Sequence, residues 1–186
     1  SDNITFAKLS AEMGPERFHP YIRGFGFGER SGVDFPGEIT GMVASPSRSG
    51  QALQWANMGF GQGIAVTPLQ LLNAVCSIAN GGSLMKPYYV REIRDTQGKL
   101  VEQFLPEVRK HPVGVGTAME VSQLLRSVVV NGNGNRAEVT GYYVAGKTGT
   151  AEVPKGGVYG EERIASFVGF APVDNPVVAI LVILYN

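Results

Sequence analysis

An α+β fold, with helices packed on an antiparallel sheet, is what this 186-residue sequence predicts, on three observations. Helix-period apolar spacing fills several segments before residue 131. Val-, Ile-, Tyr- and Phe-rich segments fill the last third, and glycine and proline separate these elements. The length is one domain's worth, and 44% hydrophobic against 17% charged residues excludes a disordered or fibrous chain.

Ile4 to Met13 reads as a short helix behind the polar Ser1-Asp2-Asn3, because Phe6, Leu9 and Met13 share one face. Gly14-Pro15 open a second short helix, which Pro20 is expected to kink or end early by removing a backbone donor. From Gly24 to Gly63, forty residues hold ten glycines together with Pro36 and Pro46, so this stretch is expected to be mostly loop. A loop that long usually serves function, and Phe25, Phe27 and Trp55 are read as packing residues beneath it.

Thr67-Pro68-Leu69-Gln70 is a capping box with proline at the first helical position. It predicts a helix through Asn80 that stops at Gly81-Gly82, with Leu71, Leu72, Val75, Ile78 and Ala79 as its buried stripe. Tyr88 to Arg94 and Lys99 to Phe104 flank a hairpin turn at Asp95-Thr96-Gln97-Gly98. A second capping box, Thr117-Ala118-Met119-Glu120, opens a helix carried by Val121, Leu124, Leu125 and Val128 until Asn131. Tyr142 to Glu152, Ile164 to Ala171 and Val177 to Leu184 read as strands, the last two joined as an antiparallel hairpin across Pro172 to Pro176.

Equal numbers of basic and acidic residues, 16 each, leave no electrostatic case for a nucleic-acid partner. One cysteine, Cys76, excludes an intrachain disulfide and a thiolate metal cluster and is read as core filler. His19 and His111 lack ligand-spaced partners, so both are expected at surface or loop positions, and neither a metal nor a cofactor is predicted. The longest apolar run, Val177 to Tyr185, is far short of the roughly 20 residues that span a membrane. The start does not read as a signal peptide, so a targeting signal is expected outside this chain.

Ser1-Asp2-Asn3 means little alone: 11 serines and 9 asparagines give about 0.5 chance matches to Ser-x-Asn. Lys147-Thr148-Gly149 is rarer, at about 0.03 chance matches, and it lies inside a predicted strand. The run Tyr142 to Ala151, the segment Ser166-Phe167-Val168-Gly169-Phe170-Ala171-Pro172 and the stretch Gly59-Phe60-Gly61-Gln62-Gly63-Ile64 before Thr67 carry a family likeness. Together they resemble the C-terminal part of the transpeptidase domain of class B penicillin-binding proteins, of the division or sporulation type.

That resemblance implies a partial serine β-lactamase/penicillin-binding-protein transpeptidase fold over residues 1–186, beginning at Ser-x-Asn. The family places its nucleophilic Ser-x-x-Lys upstream of Ser-x-Asn. This chain is therefore expected to lack the nucleophile and to be inactive by itself. The one Ser-x-x-Lys string, Ser83-Leu84-Met85-Lys86, sits after Gly81-Gly82 and before Pro87, which oppose the helical turn that would bring amine to hydroxyl.

By resemblance, Ser1 relays a proton, Asn3 donates its amide to the substrate carbonyl, and Lys147 sets a positive charge beside Ser1. Thr148 and Thr150, two apart on a strand, have hydroxyls on one face that can take a single carboxylate, and the Thr150 amide is an expected oxyanion donor. Strict alternation puts Lys147 on the other face, a conflict that an edge strand along the cleft would ease. Gly149 would let an extended peptide pair with that edge.

The implied reaction is acyl transfer from stem peptides ending in D-Ala-D-Ala, with β-lactams as acylating inhibitors. The implied location is the outer face of the cell membrane, through an anchor absent from this chain. Two other readings stand beside it. A serine β-lactamase needs a water-activating glutamate, and neither Glu29 nor Glu38 has the expected sequel. The other is a non-catalytic penicillin-binding or sensing module. Val177 to Leu184 is apolar at every position, so it expects cover on both faces. The resemblance implies a neighbouring strand from before Ser-x-Asn that this chain lacks, and with that edge open the chain is expected to associate with itself through this strand or to be poorly soluble.

Overall fold

A computed structural model of the chain describes residues 2–45, 52–155 and 158–185. Its helices are α1 (Asn3–Met13), α2 (Pro15–Gly24), α3 (Ala52–Met58), α4 (Pro68–Ala79) and α5 (Val115–Asn131). Its strands are β1 (Leu84–Met85), β2 (Glu92–Arg94), β3 (Leu100–Gln103), β4 (Val108–Lys110), β5 (Ala145–Lys155), β6 (Val158–Ala171) and β7 (Val178–Tyr185). β1 pairs with β4 and β2 with β3, while β5, β6 and β7 form a three-stranded antiparallel sheet in that order. The α+β architecture is the one expected.

Several boundaries differ for identifiable reasons. α2 runs through Pro20 as one helix of ten residues, since losing one donor is offset by burying Ile22. α3 lies inside the stretch expected to be loop. It is too short to show a period, yet Trp55 and Met58 at i, i+3 bury it against Ile22. Phe18, Phe27, Val43, Ala44 and Ile64 complete that core. α4 has the expected capping box, but its fully buried row is Gln70, Ala74, Ser77 and Ile78 rather than the large apolar stripe. Ile78 alone of the expected stripe is fully buried; Ala74 and Ser77 are small, and Gln70 is buried by its backbone hydrogen bonds.

α5 starts earlier than the Thr117 box implies, at Val115 with Gly114 as an extended cap and no side-chain bond. The first hairpin strand begins at Glu92 rather than Tyr88, because the Asp34 carboxylate takes the Tyr89 and Val90 amides at 2.7 and 2.9 Å. β5 begins at Ala145 rather than Tyr142, because Tyr143 has a left-handed backbone (φ +49°) that no strand continues through. β6 starts at Val158 rather than Ile164. The β6–β7 hairpin forms as expected, from Ala171 opposite Val178 to Ile164 opposite Tyr185.

Helices α4 and α5 cover one face of the sheet, where Ala145 and Phe170 are buried. Leu181 and Ile183 face Pro68, Leu69 and Leu72 of α4 on that side. Residues 178, 180, 182 and 184 point to the opposite face and are exposed. Cover on both faces of the last strand, expected from its composition, is thus found on one face only among the described residues.

Candidate active site

β5 carries Lys147-Thr148-Gly149-Thr150 at the rim of its sheet, paired only with β6 among the described residues. Half of its backbone donors and acceptors therefore point away from the sheet. Lys147 and Gly149 share the helix-covered face with their partners Val168 and Ser166. Thr148 and Thr150 take the other face, opposite Phe167 and Ala165.

The Lys147 side chain crosses the rim. Its Nζ donates to the Thr148 carbonyl at 2.8 Å and lies 3.4 Å from Thr148 Oγ1. Ammonium and hydroxyl thus converge although their Cβ atoms leave the strand on opposite faces. Partial burial lowers the Lys147 pKa below the ordinary lysine value, which makes the proton easier to lend. Thr150 is exposed.

The glycines near this rim have packing reasons as well. A Cβ on Gly149 would stand 2.6 Å from Ser166 Oγ, so this glycine also serves the pairing of β5 with β6. Gly146 and Gly169 face each other across the ladder, and the Phe167 ring lies over both, 2.5 Å from a hypothetical Gly146 Cβ. The flat aromatic needs both positions empty.

Ser1 lies outside the described residues. Asn3 is the first residue of α1 and is exposed. Capping falls to Asp2, whose carboxylate accepts the Ile4 and Thr5 amides at 3.0 and 3.4 Å and the Thr5 hydroxyl at 2.7 Å. Those bonds, the Thr5 hydroxyl foremost, hold the Asp2 carboxyl below its ordinary pKa. The Asn3 side chain takes no part in that cap.

α1 is held by α3. Buried Ser10 donates to the Ala7 and Ala56 carbonyls at 3.0 and 3.2 Å, and a Cβ on Gly59 would meet Phe6 O and Ser10 Oγ at 2.5 Å. Gly59 thus allows the chain after α3 to lie against the helix that carries Asn3. Sequence reasoning used Gly59 only as a family likeness; a contact across some fifty residues leaves no local signal.

The other candidates have structural roles. Ser83 precedes the two-residue β1 and its hydroxyl lies 3.2 Å from His111 Nδ1, while Lys86 pairs with Glu107 at 3.6 Å. Ser83 and Lys86 therefore share no helical turn. His19 is not a free surface residue: half-buried, it meets Trp55 edge to face with ring centroids 6.0 Å apart. Glu29 binds Arg23 at 2.8 Å and Lys110 at 2.6 Å, and Glu38 accepts the Ser31 and Gly32 amides at 2.5 and 3.1 Å. Neither carboxylate resembles one held in reserve to activate water.

The family model for the penicillin-binding protein transpeptidase domain matches residues 1–186. The chain belongs to the penicillin-binding protein transpeptidase family. Stage V sporulation protein D of Bacillus subtilis is 41% identical over 188 residues; the alignment covers all of this chain and 29% of that protein. The probable peptidoglycan D,D-transpeptidase PenA of Neisseria meningitidis serogroup A is 33% identical over 98% of this chain and 30% of that protein. Among solved structures, penicillin-binding protein 3 of Mycobacterium tuberculosis, complexed with ampicillin, superposes with a TM-score of 0.90. It is 36% identical, over all of this chain and 43% of that one. This transpeptidase-family chain spans under a third of the length of those two curated relatives.

Proposed function

We propose that residues 1–186 form the C-terminal part of the transpeptidase domain of a peptidoglycan D,D-transpeptidase, beginning at Ser-x-Asn. The preceding part of the parent protein supplies the Ser-x-x-Lys nucleophile. In this reading the parent transfers an acyl group from a D-Ala-D-Ala stem peptide to an amine, and β-lactams acylate the same serine. The observation that carries it is the Lys147 ammonium folded over the outer rim of β5 onto the Thr148 hydroxyl, which gathers a charge, a hydroxyl and backbone groups that no second described strand pairs on one edge.

Each residue then has a task. Thr148 and Thr150 hold the terminal carboxylate, with the Lys147 charge beside them. The rim at Gly149 pairs with the extended stem peptide, and the Thr150 amide donates to the oxyanion. Ser1 passes a proton between the nucleophile's lysine and the leaving amine, and Asn3 donates to the substrate carbonyl. The named activity of PenA and the ampicillin complex of penicillin-binding protein 3 support this assignment by kinship.

No helix among the described residues is long and apolar enough to cross a membrane. The parent is placed at the outer face of the cell membrane through an anchor elsewhere in its sequence. The isolated chain associates with itself through Val177 to Leu184. The central test is Lys147→Ala in the full-length protein. Penicillin acylation, followed by intact mass, is expected to slow by about 10² to 10⁴, the range of a positioned acid-base group. Acylation at the wild-type rate would remove Lys147 from the mechanism.

A further inference from the structure

Arg126, on α5, is bonded to three separate parts of the segment that leads into β5. Its guanidinium grips the Glu138 carboxylate through both terminal nitrogens, with the Nη2–Oε1 bond at 3.0 Å. Nη1 also donates to the Val144 carbonyl at 2.9 Å, and the guanidinium carbon stands 5.8 Å from the centre of the Tyr143 ring. Its side chain is only 18% exposed. The bond to Glu138 raises the Arg126 pKa further, so the charge is permanent.

Tyr143, inside this grip, has φ +49°, a conformation that bulky side chains rarely adopt. Strain of that kind persists only where the surroundings over-determine it. Here Arg126 lies over one face of the ring, which is otherwise 58% exposed, and bonds the following carbonyl, while the Val173 amide donates to the Tyr143 carbonyl at 3.1 Å. Ala145, wholly buried, comes next and begins β5, and Lys147 follows two residues later.

We propose that Arg126 is a positioning residue for Lys147: by clamping residues 138–144 it fixes where β5 begins, and so where the Lys147 ammonium crosses the strand rim. The inference rests on the role given to Lys147 above. Without the clamp, Tyr143 relaxes toward negative φ and carries the start of β5 with it. A displacement of about 1 Å at a reacting group is enough to cost up to about 10² in rate.

The test uses the full-length protein and penicillin, reading both the fraction finally acylated and the rate constant of acylation. Arg126→Met is expected to lower the rate constant about tenfold while the final fraction stays unchanged. The alkaline limb of its pH profile moves upward as Lys147 becomes more hydrated. Arg126→Lys, which keeps a cation over Tyr143 but not the two-pronged grip, recovers part of the rate. Should Arg126→Met fail to accumulate, Glu138→Gln, which removes the charge and keeps an acceptor, is expected to show a smaller change of the same kind. Loss of melting temperature or of acylated fraction, with rate constant and pH limb unmoved in the accumulating variants, would reduce Arg126 to a structural role and overturn the proposal. Lys147→Ala in the same series separates the two ideas. If it is slow while Arg126→Met and Glu138→Gln are normal, only this inference fails; if it is itself normal, the reading of Lys147 fails first.

Discussion

Gln70 gives its side-chain amide to three backbone groups while 3% exposed. Oε1 accepts the Thr67 amide at 2.9 Å, and Nε2 donates to the Glu29 and Thr40 carbonyls at 2.8 and 2.9 Å. Gln70→Glu keeps the shape and loses both donors, leaving two carbonyls facing a buried carboxylate. Unpaired buried groups of this kind cost about 2 to 4 kcal/mol in total. The denaturation midpoint should fall accordingly, whereas Gln123→Glu on the exposed side of α5 should stay within about 0.5 kcal/mol. Equal midpoints for the two variants would show that the amide is not the tie it resembles. The capping box at Thr67 and Gln70 was legible in sequence because its partners stand three residues apart. The bonds to Glu29 and Thr40 span 41 and 30 residues and left no trace in it. The same holds for Lys147: its motif was legible, and its passage across the strand rim, which unites it with Thr148, depends on how β5 sits in the sheet.

At the scale of elements, the segment after α2 shows why glycine content misled. Its glycines mark turns and close approaches, but the ion pairs of Glu29 and the buried Trp55 of α3 tie its described residues to their neighbours. Glu29 meets Arg23 at 2.8 Å, Lys110 at 2.6 Å and Arg109 at 4.0 Å. Burial works against its carboxylate, yet the bond to Lys110 and the three positive charges outweigh that cost and hold its pKa below the ordinary glutamate value. A carboxyl depressed in the folded state stabilises it above the unfolded pKa and loses that contribution as pH falls through the folded one. Stability should therefore be level above about pH 5 and drop from about 4.5 downward. In Glu29→Gln the stability should be lower at neutral pH and its acid slope shallower. An unchanged acid slope would exclude Glu29 as its source. Gly59 makes the matching case for α1: Gly59→Ala sets a Cβ 2.5 Å from Phe6 O, a backbone atom that cannot rotate away. The amides of α1 should then exchange faster than those of α4, and equal exchange would show that α1 is seated by other contacts.

For the whole molecule, the distribution of apolar surface decides behaviour in solution. β7 is apolar at every position from Val178 to Leu184, and α4 covers only alternate residues. Val178, Ile180, Val182 and Leu184 remain 49 to 64% exposed on the outer face, and Ile4, Phe6 and Leu9 of α1 are 49 to 68% exposed elsewhere. A strand that is apolar on both faces and pairs on one side only, among the described residues, carries the features that make an edge associate. Neither charge nor proline interrupts Val177 to Leu184. Sequence reasoning found this strand and its neighbour because hairpins are local, and it misjudged the cover because that depends on what lies across the sheet. This chain aligns with 43% of the solved penicillin-binding protein 3, so more of that chain lies outside the match than within it. The isolated 186-residue chain is therefore predicted to sediment as a concentration-dependent oligomer at micromolar concentrations, and the full-length protein not to use this face. Ile180→Lys places a charge in the middle of the outer apolar row, where stacking or edge pairing must bury it at a cost of several kcal/mol. It should shift the chain toward monomer, while Lys99→Ala on the distant β2–β3 turn should leave the distribution alone. Wild-type chain that stays monomeric, with the β7 amides protected from exchange, would mean that the edge is closed without a second copy.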